Sequence, residues 1–278
     1  MKGIIWLASY PKSGNTWFRI FLTNLLQDAN RPASINELQE IPIASSRILF
    51  DENIGIESSD LTSDEISRFR PELYTYLSEN ATEQIYMKIH DAYISVEKKK
   101  FLIPKESTAC AVYFIRNPLD VAVSFAYHNA ATYDLTISQM SENNLCFCGK
   151  HDRLYKQLQQ RLLSWSNHVL SWVDAAPFPV CVLRYEDMKS NTFETFEKAV
   201  RFVGLSHTNY QIQKAIDFSS FEELQEQEEK SGFKERSTAA QKFFRKGKVG
   251  SWREELTKEQ VERIINDHRE VMQRFGYL

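Results

Sequence analysis

Glycine is scarce, at 9 of 278 residues, or about 3% where roughly 7% is usual. The few that remain are expected where the backbone needs a positive φ or a close approach. Cysteine is scarcer still: Cys110, Cys146, Cys148 and Cys181 are too few and too unevenly placed to form a disulfide framework in a chain of this length, which points to a reducing compartment. Long hydrophobic runs are missing. After Met1-Lys2-Gly3 the apolar stretch Ile4-Ile5-Trp6-Leu7-Ala8 stops at Ser9-Tyr10-Pro11-Lys12, too short for a secretory core or a membrane span. A cytoplasmic protein with no membrane partner is expected. Nor is there an excess of positive charge: 34 Lys and Arg stand against 37 Asp and Glu, for a net −3. No global basic field draws the chain to nucleic acid or anionic lipid, so any phosphate chemistry must come from a local cluster.

What is present is a globular mixture, 42% hydrophobic and 26% charged, without internal repeats or low-complexity tracts. Its length suits one domain spanning 1–278 with a sizeable core. Gly3–Ser9 is a short apolar run ended by a turn, and Asn15–Asp28 follows with apolar residues at helical spacing. Residues 30 to 61 look irregular. Thr62-Ser63-Asp64-Glu65 is a capping box opening a helix that Pro71 is placed to break or restart. Ile85–Ile89 and Ala109–Ile115 are buried-strand patterns, and Pro118 opens a helix running to about Ala131. No period holds from Thr132 to Lys150, so a loop or lid is expected there. A helix carrying Leu158, Leu162, Trp165, Val169 and Trp172 comes next, then a strand at Pro179–Arg184 and a helix carrying Phe193, Phe196, Val200 and Val203. The final third is helical and charged, with a capping box at Thr257 and Gln260 opening the last helix. Alternating strands and helices predict an α/β fold with a central, mostly parallel sheet flanked by helices.

Three clusters carry chemistry. Ser9-Tyr10-Pro11-Lys12-Ser13-Gly14-Asn15-Thr16-Trp17 joins a strand to a helix N-terminus, where backbone N–H groups and the helix dipole attract anions. It is not the G-x-x-x-x-G-K-[ST] loop, because the lysine precedes the glycine. Arg116 leaves the carboxyl end of a strand, and Ser124 lies two turns along the following helix, so both can reach one phosphate. Phe244-Arg245-Lys246-Gly247-Lys248-Val249-Gly250-Ser251-Trp252 sets two glycines beside three cations. Each alone is also compatible with an ordinary turn, an arginine–carboxylate pair or a solvated basic loop.

Taken in order, Tyr10 to Trp17, Arg116-Asn117-Pro118 to Ser124, and Arg245-Lys246-Gly247 resemble the three nucleotide-binding signatures of the cytosolic-type sulfotransferases. Lys88-Ile89-His90, similar to that family's Lys-x-His, and Arg184-Tyr185-Glu186-Asp187-Met188 fit between them. The resemblance implies 3′-phosphoadenosine-5′-phosphosulfate (PAPS) as sulfuryl donor and adenosine 3′,5′-bisphosphate (PAP) as product. It implies that Lys12, Ser13, Gly14, Asn15 and Thr16 hold the 5′-phosphosulfate, with Trp17 on the adenine. Arg116, Ser124, Arg245, Lys246 and Gly247 would hold the 3′-phosphate. Tyr185 would contact the adenosine, and Ser219-Ser220-Phe221 resembles a Thr-x-Phe element that puts Phe221 on the other adenine face. Ser219 in place of threonine and Ser251 in place of the aspartate of Gly-Asp-Trp are departures. Lys12 suits the charge growing on the leaving phosphate, and His90, beside Lys88, is the expected base.

The resemblance implies no metal. Cys146-Phe147-Cys148 with His151 is a poor match to a zinc knuckle. A kinase-like phosphoryl transferase would need Mg²⁺ and a loop of the other layout, and a non-catalytic nucleotide-binding module would keep the phosphate clusters without a base, so the presence of both Lys12 and His90 favours turnover. The opening Gly3 to Lys12 is most similar to bacterial sulfotransferases that tailor secondary metabolites. A small natural product is therefore the expected acceptor, through oxygen or nitrogen, with residues 30 to 60 and 132 to 155 as variable lids. Glu222, Glu223, Glu226, Glu228 and Glu229 would suit a cationic acceptor of the saxitoxin kind, or simply form a solvated acidic helix. Arg253 to Glu262 matches the family's dimer motif only in part, so both monomer and homodimer stay open.

Overall fold

The computed structural model describes residues 3–38, 40–149, 154–237 and 240–278. Among them the chain forms, in order, β1 (Ile4–Ser9), α1 (Asn15–Gln27), α2 (Arg47–Ile54), α3 (Ser63–Asn80), β2 (Ile85–Ile89), β3 (Ser95–Glu97), β4 (Lys100–Phe101), β5 (Thr108–Ile115), α4 (Pro118–Asn129), α5 (Tyr133–Ser141), β6 (Cys146–Phe147), β7 (Gln160–Arg161), α6 (Trp165–Val173), β8 (Val180–Arg184), α7 (Tyr185–Ser190), α8 (Thr192–Phe202), α9 (Asn209–Asp217), α10 (Phe221–Ser231), α11 (Trp252–Glu255) and α12 (Lys258–Arg274). The fold is α/β, with a central parallel sheet flanked by helices. By contact it divides into two compact units: Met1–Tyr10, Ile41–Tyr113 and Glu142–Val182 in the first, and Pro11–Glu40, Phe114–Ser141 and Leu183–Leu278 in the second.

The first unit carries the sheet, whose strand order is β2-β1-β5-β8. β1 pairs in parallel with β2, from Ile4 opposite Ile85 to Ala8 opposite Ile89. All six residues of β1 are buried, as expected for a strand covered on both faces. Helix α3 starts with the capping box read from Thr62 and Glu65 but runs unbroken through Pro71. Ile66, Arg70, Leu73 and Tyr74 form its buried stripe, and that burial outweighs the single backbone bond a proline removes.

Three further expectations are corrected. Residues 47–54 form α2 rather than irregular chain, capped by Ser46 on the Leu49 N–H and closed by Gly55 at φ 75°. Residues 133–141 form α5, and 146–147 form a strand paired with 160–161, so the stretch from 132 onward is not a plain loop. The helix expected from Leu158 starts only at Trp165, because Ser164 caps it and Leu163 stands at φ 61°. Leu158 and Leu162 lie on extended chain instead, donating backbone N–H groups to Ser45 and Leu145. The hairpin of β3 and β4 gave no sequence signal. Gln39 and residues 150–153 of the expected lids lie outside the described residues.

The second unit is helical. Ile20 of α1, Ile35, Leu38, Leu224 of α10, Phe233 and Phe244 form one buried cluster, against which Trp17, Phe221 and Phe243 pack. Capping boxes open α9 at Thr208 and α12 at Thr257, the latter as read from the sequence. Among the described residues no helix is long and apolar enough to cross a membrane.

Candidate active site

The turn between β1 and α1 holds two left-handed residues, Lys12 at φ 69° and Gly14 at φ 100°. Such curling lets successive N–H groups converge ahead of a helix N-terminus, and Gly14 is the cap of α1. Gly14 also lies tight against its neighbours: a Cβ there would stand 2.8 Å from Tyr185 Cδ2. Ser13 is 1% exposed. Its hydroxyl, like Arg116 Nε, is buried without a hydrogen-bond partner among the described residues. Buried polar atoms are nearly always paired, so one orphan in the turn and another on the arginine that bonds to it fit an anionic ligand.

Arg116 organises this region. Its Nη1 donates to the Lys12 carbonyl at 3.0 Å and its Nη2 to the Lys248 carbonyl at 3.1 Å. The guanidinium lies 4.2 Å above the Tyr185 ring. Two of its five N–H groups thus clamp two loops while Nε keeps its donor. Burial raises the Tyr185 hydroxyl pKa, opposed by the Arg116 charge. Ser124 is half-buried on α4. On the same helix the Asp120 carboxylate accepts from Gly250 N at 2.7 Å and Trp252 N at 3.2 Å. The loop with Ser251 in place of aspartate is therefore held from outside.

Trp17 donates its Nε1 to the Ser219 carbonyl at 2.9 Å. The Ser219 hydroxyl is turned back to the end of α9, on the Ala215 and Ile216 carbonyls. Phe221 begins α10 and covers Gly247, where a Cβ would stand 2.5 Å from its ring. Lys189 Nζ lies 5.1 Å from the Trp17 ring centroid and 5.7 Å from that of Phe221. Burial lowers its pKa. Lys12 Nζ stands 4.2 Å over Phe243.

In the basic loop, Glu255 sets the cations. Lys246 Nζ is 2.7 Å and Arg245 Nη1 3.4 Å from its Oε1, and Tyr133 donates to Oε2 at 2.7 Å. These donors hold the Glu255 carboxyl down at about 2. Arg245 also lies 3.6 Å over the Tyr127 ring. Glu228, buried on α10, accepts from the Phe243 and Phe244 N–H groups at 2.8 and 2.9 Å.

In the first unit, Lys88 is buried on β2. His90 follows that strand, with Nδ1 2.8 Å from the Ser9 carbonyl and 3.2 Å from Ser9 Oγ. A carbonyl only accepts, so Nδ1 carries the proton and Nε2 the lone pair. That tautomer is the one a general base needs.

The chain matches the model of the sulfotransferase domain over residues 2–276. It belongs to the sulfotransferase family. The mouse Sulfotransferase 2A2 is 29% identical to it over 273 residues, covering 97% of this chain and 84% of the relative. Flavonol 3-sulfotransferase of Flaveria bidentis is 27% identical, covering 94% and 78%. In fold, the chain is similar to retinol dehydratase in complex with androsterone and the inactive cofactor PAP, with TM-score 0.66, 20% identity, and 97% and 80% of the two chains covered. It is also similar to mouse sulfotransferase SULT7A1 complexed with PAP, with TM-score 0.62, 22% identity, and 98% and 85% covered.

Within this sulfotransferase, the expected Lys12, Ser13, Gly14, Asn15, Thr16, Trp17, Arg116, Ser124, Tyr185, Ser219, Phe221, Arg245, Lys246 and Gly247 all lie in the second unit, and Lys88 and His90 in the first. Sequence reasoning did not find the supporting carboxylates. Glu186 accepts the Asn117 N–H at 3.0 Å and the Tyr277 hydroxyl at 3.1 Å, and burial raises its pKa. Asp120, Glu228 and Glu255 likewise hold loops or cations distant in sequence. The four cysteines are free. Cys146 Sγ accepts from Gln159 Nε2 at 3.4 Å, and His151, the remaining member of the zinc reading, lies outside the described residues. Among the described residues no group of three or more His, Cys, Asp or Glu could hold a metal.

Proposed function

We propose that this sulfotransferase moves the sulfuryl group of PAPS to a hydroxyl or amine of a small natural product and releases PAP, as a single cytoplasmic catalytic domain. The observation that carries the reading is a pair of buried atoms without a hydrogen-bond partner among the described residues: Ser13 Oγ, in the glycine turn before a helix N-terminus, and Arg116 Nε, on the arginine bonded to that turn. PAP in two structural relatives supports the same nucleotide.

Lys12, Ser13, Asn15, Thr16 and the Gly14 turn bind the 5′-phosphosulfate. Lys12 sets a full charge against the negative charge that grows on the leaving phosphate. Trp17 and Phe221 take the two adenine faces and Tyr185 the adenosine. Ser219 acts through its carbonyl on Trp17 rather than through its hydroxyl. Arg116, Ser124, Arg245, Lys246 and the Gly247 N–H take the 3′-phosphate. His90 removes the acceptor's proton at Nε2, kept in that tautomer by Ser9, and Lys88 adds a second cation.

The natural-product acceptor rests on the resemblance of Gly3 to Lys12 to bacterial tailoring enzymes. The narrower form, a cationic alkaloid of the saxitoxin kind, rests on α10. There Glu226 and Glu229 are paired with Lys230 and Lys242, and Glu228 with backbone donors, so the acidic run is largely committed within the protein. His90→Ala tests the mechanism. Transfer from PAPS across a panel of phenols, alcohols and amines should fall by about 10²–10⁴ while PAP binding persists. Unchanged turnover would remove His90 from the role.

A further inference from the structure

We propose that His168 is a positioning residue for His90, and that Tyr113 sets the His168 ring for that task. This rests on the reading of His90 as the base. β2 ends at Ile89, so the His90 carbonyl lies just beyond the paired strand. A side chain of α6 supplies its partner. His168, fully buried, has Nε2 3.0 Å from the His90 carbonyl oxygen. Its Nδ1 lies 2.8 Å from the Tyr113 hydroxyl. The carbonyl only accepts, so Nε2 carries the proton and Nδ1 must accept from the tyrosine. Burial keeps both partners neutral: it drives the Tyr113 hydroxyl well above its usual pKa and lowers that of His168 to about 4. The chain of bonds therefore has one direction, from Tyr113 to His168 to His90.

The next residue is held in the same way. The Asp91 carbonyl accepts Trp172 Nε1 at 3.0 Å, one turn further along α6. The Asp91 carboxylate, 1% exposed, takes the Arg70 fork at 3.1 and 2.6 Å and the Arg161 N–H at 3.0 Å. Around the imidazole stand Tyr10, edge-on at 5.4 Å, and the Tyr113 ring at 5.7 Å. An apolar side chain would fill this space without giving up hydration. A donor at the position of Nε2 holds the His90 carbonyl. An ångström of drift at that carbonyl carries the reacting nitrogen with it, which costs rate rather than affinity.

Two substitutions separate the donor from the rest of the side chain. His168→Asn keeps an oxygen where Nδ1 accepts from Tyr113 but has no donor at the place of Nε2. His168→Gln places an amide N–H there. His168→Asn should lower kcat about tenfold or more, with the KM for PAPS and the PAP-induced melting shift unchanged. His168→Gln should restore most of the loss, and a kcat lowered equally in the two variants would overturn the proposal. ¹⁵N NMR of the His90 imidazole reads the same event without an acceptor. Its signals should move in His168→Asn and return in His168→Gln. Unmoved signals refute positioning, whereas moved signals with full turnover uphold it and refute the base role of His90. Should His168→Asn fail to fold, Tyr113→Phe removes only the orienting hydroxyl. It should lower kcat several-fold at constant KM, and an unchanged kcat would overturn the chain.

Discussion

Replacing Gly14 with alanine tests the anion loop at its tightest point. The residue stands at φ 100° and ψ 0°, where an L-residue is strained by about 1–3 kcal/mol. The new Cβ would stand 2.8 Å from Tyr185 Cδ2 and 3.3 Å from Met188 Cε. Tyr185 is 7% and Met188 0% exposed, so neither has room to withdraw, and overpacking adds about 1–3 kcal/mol. The sum, about 2–6 kcal/mol, corresponds to a fall in Tm of roughly 3–10 °C for a chain of this size. Gly55→Ala is the control. It has φ 75° and no atom within 4 Å, so only the backbone strain of about 1–2 kcal/mol applies. Because the displaced turn carries the converging N–H groups, PAP should also bind about tenfold more weakly to Gly14→Ala, a change of about 1.4 kcal/mol. Thermal melting and titration calorimetry read both effects. A Gly14→Ala protein as stable as Gly55→Ala, with full PAP affinity, would refute the reasoning.

Asp120→Ala releases the Gly250 and Trp252 N–H groups, so the loop whose Lys248 carbonyl meets Arg116 loosens. PAP should bind several-fold more weakly by calorimetry, with KM rising more than kcat falls. Glu255 has a lowered folded pKa, so its stabilisation is present above the usual 4.5 and is lost as pH falls toward about 2. The Tm gap between wild type and Glu255→Gln should accordingly narrow between pH 4.5 and 2.5. His268, buried on α12, also has its pKa lowered, from 6.5 to about 4. The unfolded chain takes up that proton first, so stability should drop as pH falls from 6.5 to 4, and His268→Gln should flatten the slope of Tm against pH.

Much of this arrangement was legible because it is local. The burial of β1, the start of α1 after Gly14, and the capping boxes at Thr62 and Thr257 each depend on a few adjacent residues. The Lys12 turn and Arg116 were legible for the same reason. Helix α2 was not, since it buries only Phe50 and shows no stripe. The start of α6 was misread because Leu158 and Leu162 continue its spacing while the chain there is extended. The supporting roles of Asp120, Glu186 and His168 were not legible, because each reaches a backbone group 69 to 132 residues away, a relation no local pattern encodes.

The most direct measurement is thermal stabilisation of the purified protein by PAP compared with ATP and Mg²⁺, each with and without chelator. A ligand that binds only the native state raises its stability with occupancy. Tm should rise clearly with PAP, unchanged by chelator, and the rise should be largely lost in Arg116→Met. A rise with Mg-ATP and none with PAP would contradict this and move the chain to phosphoryl transfer.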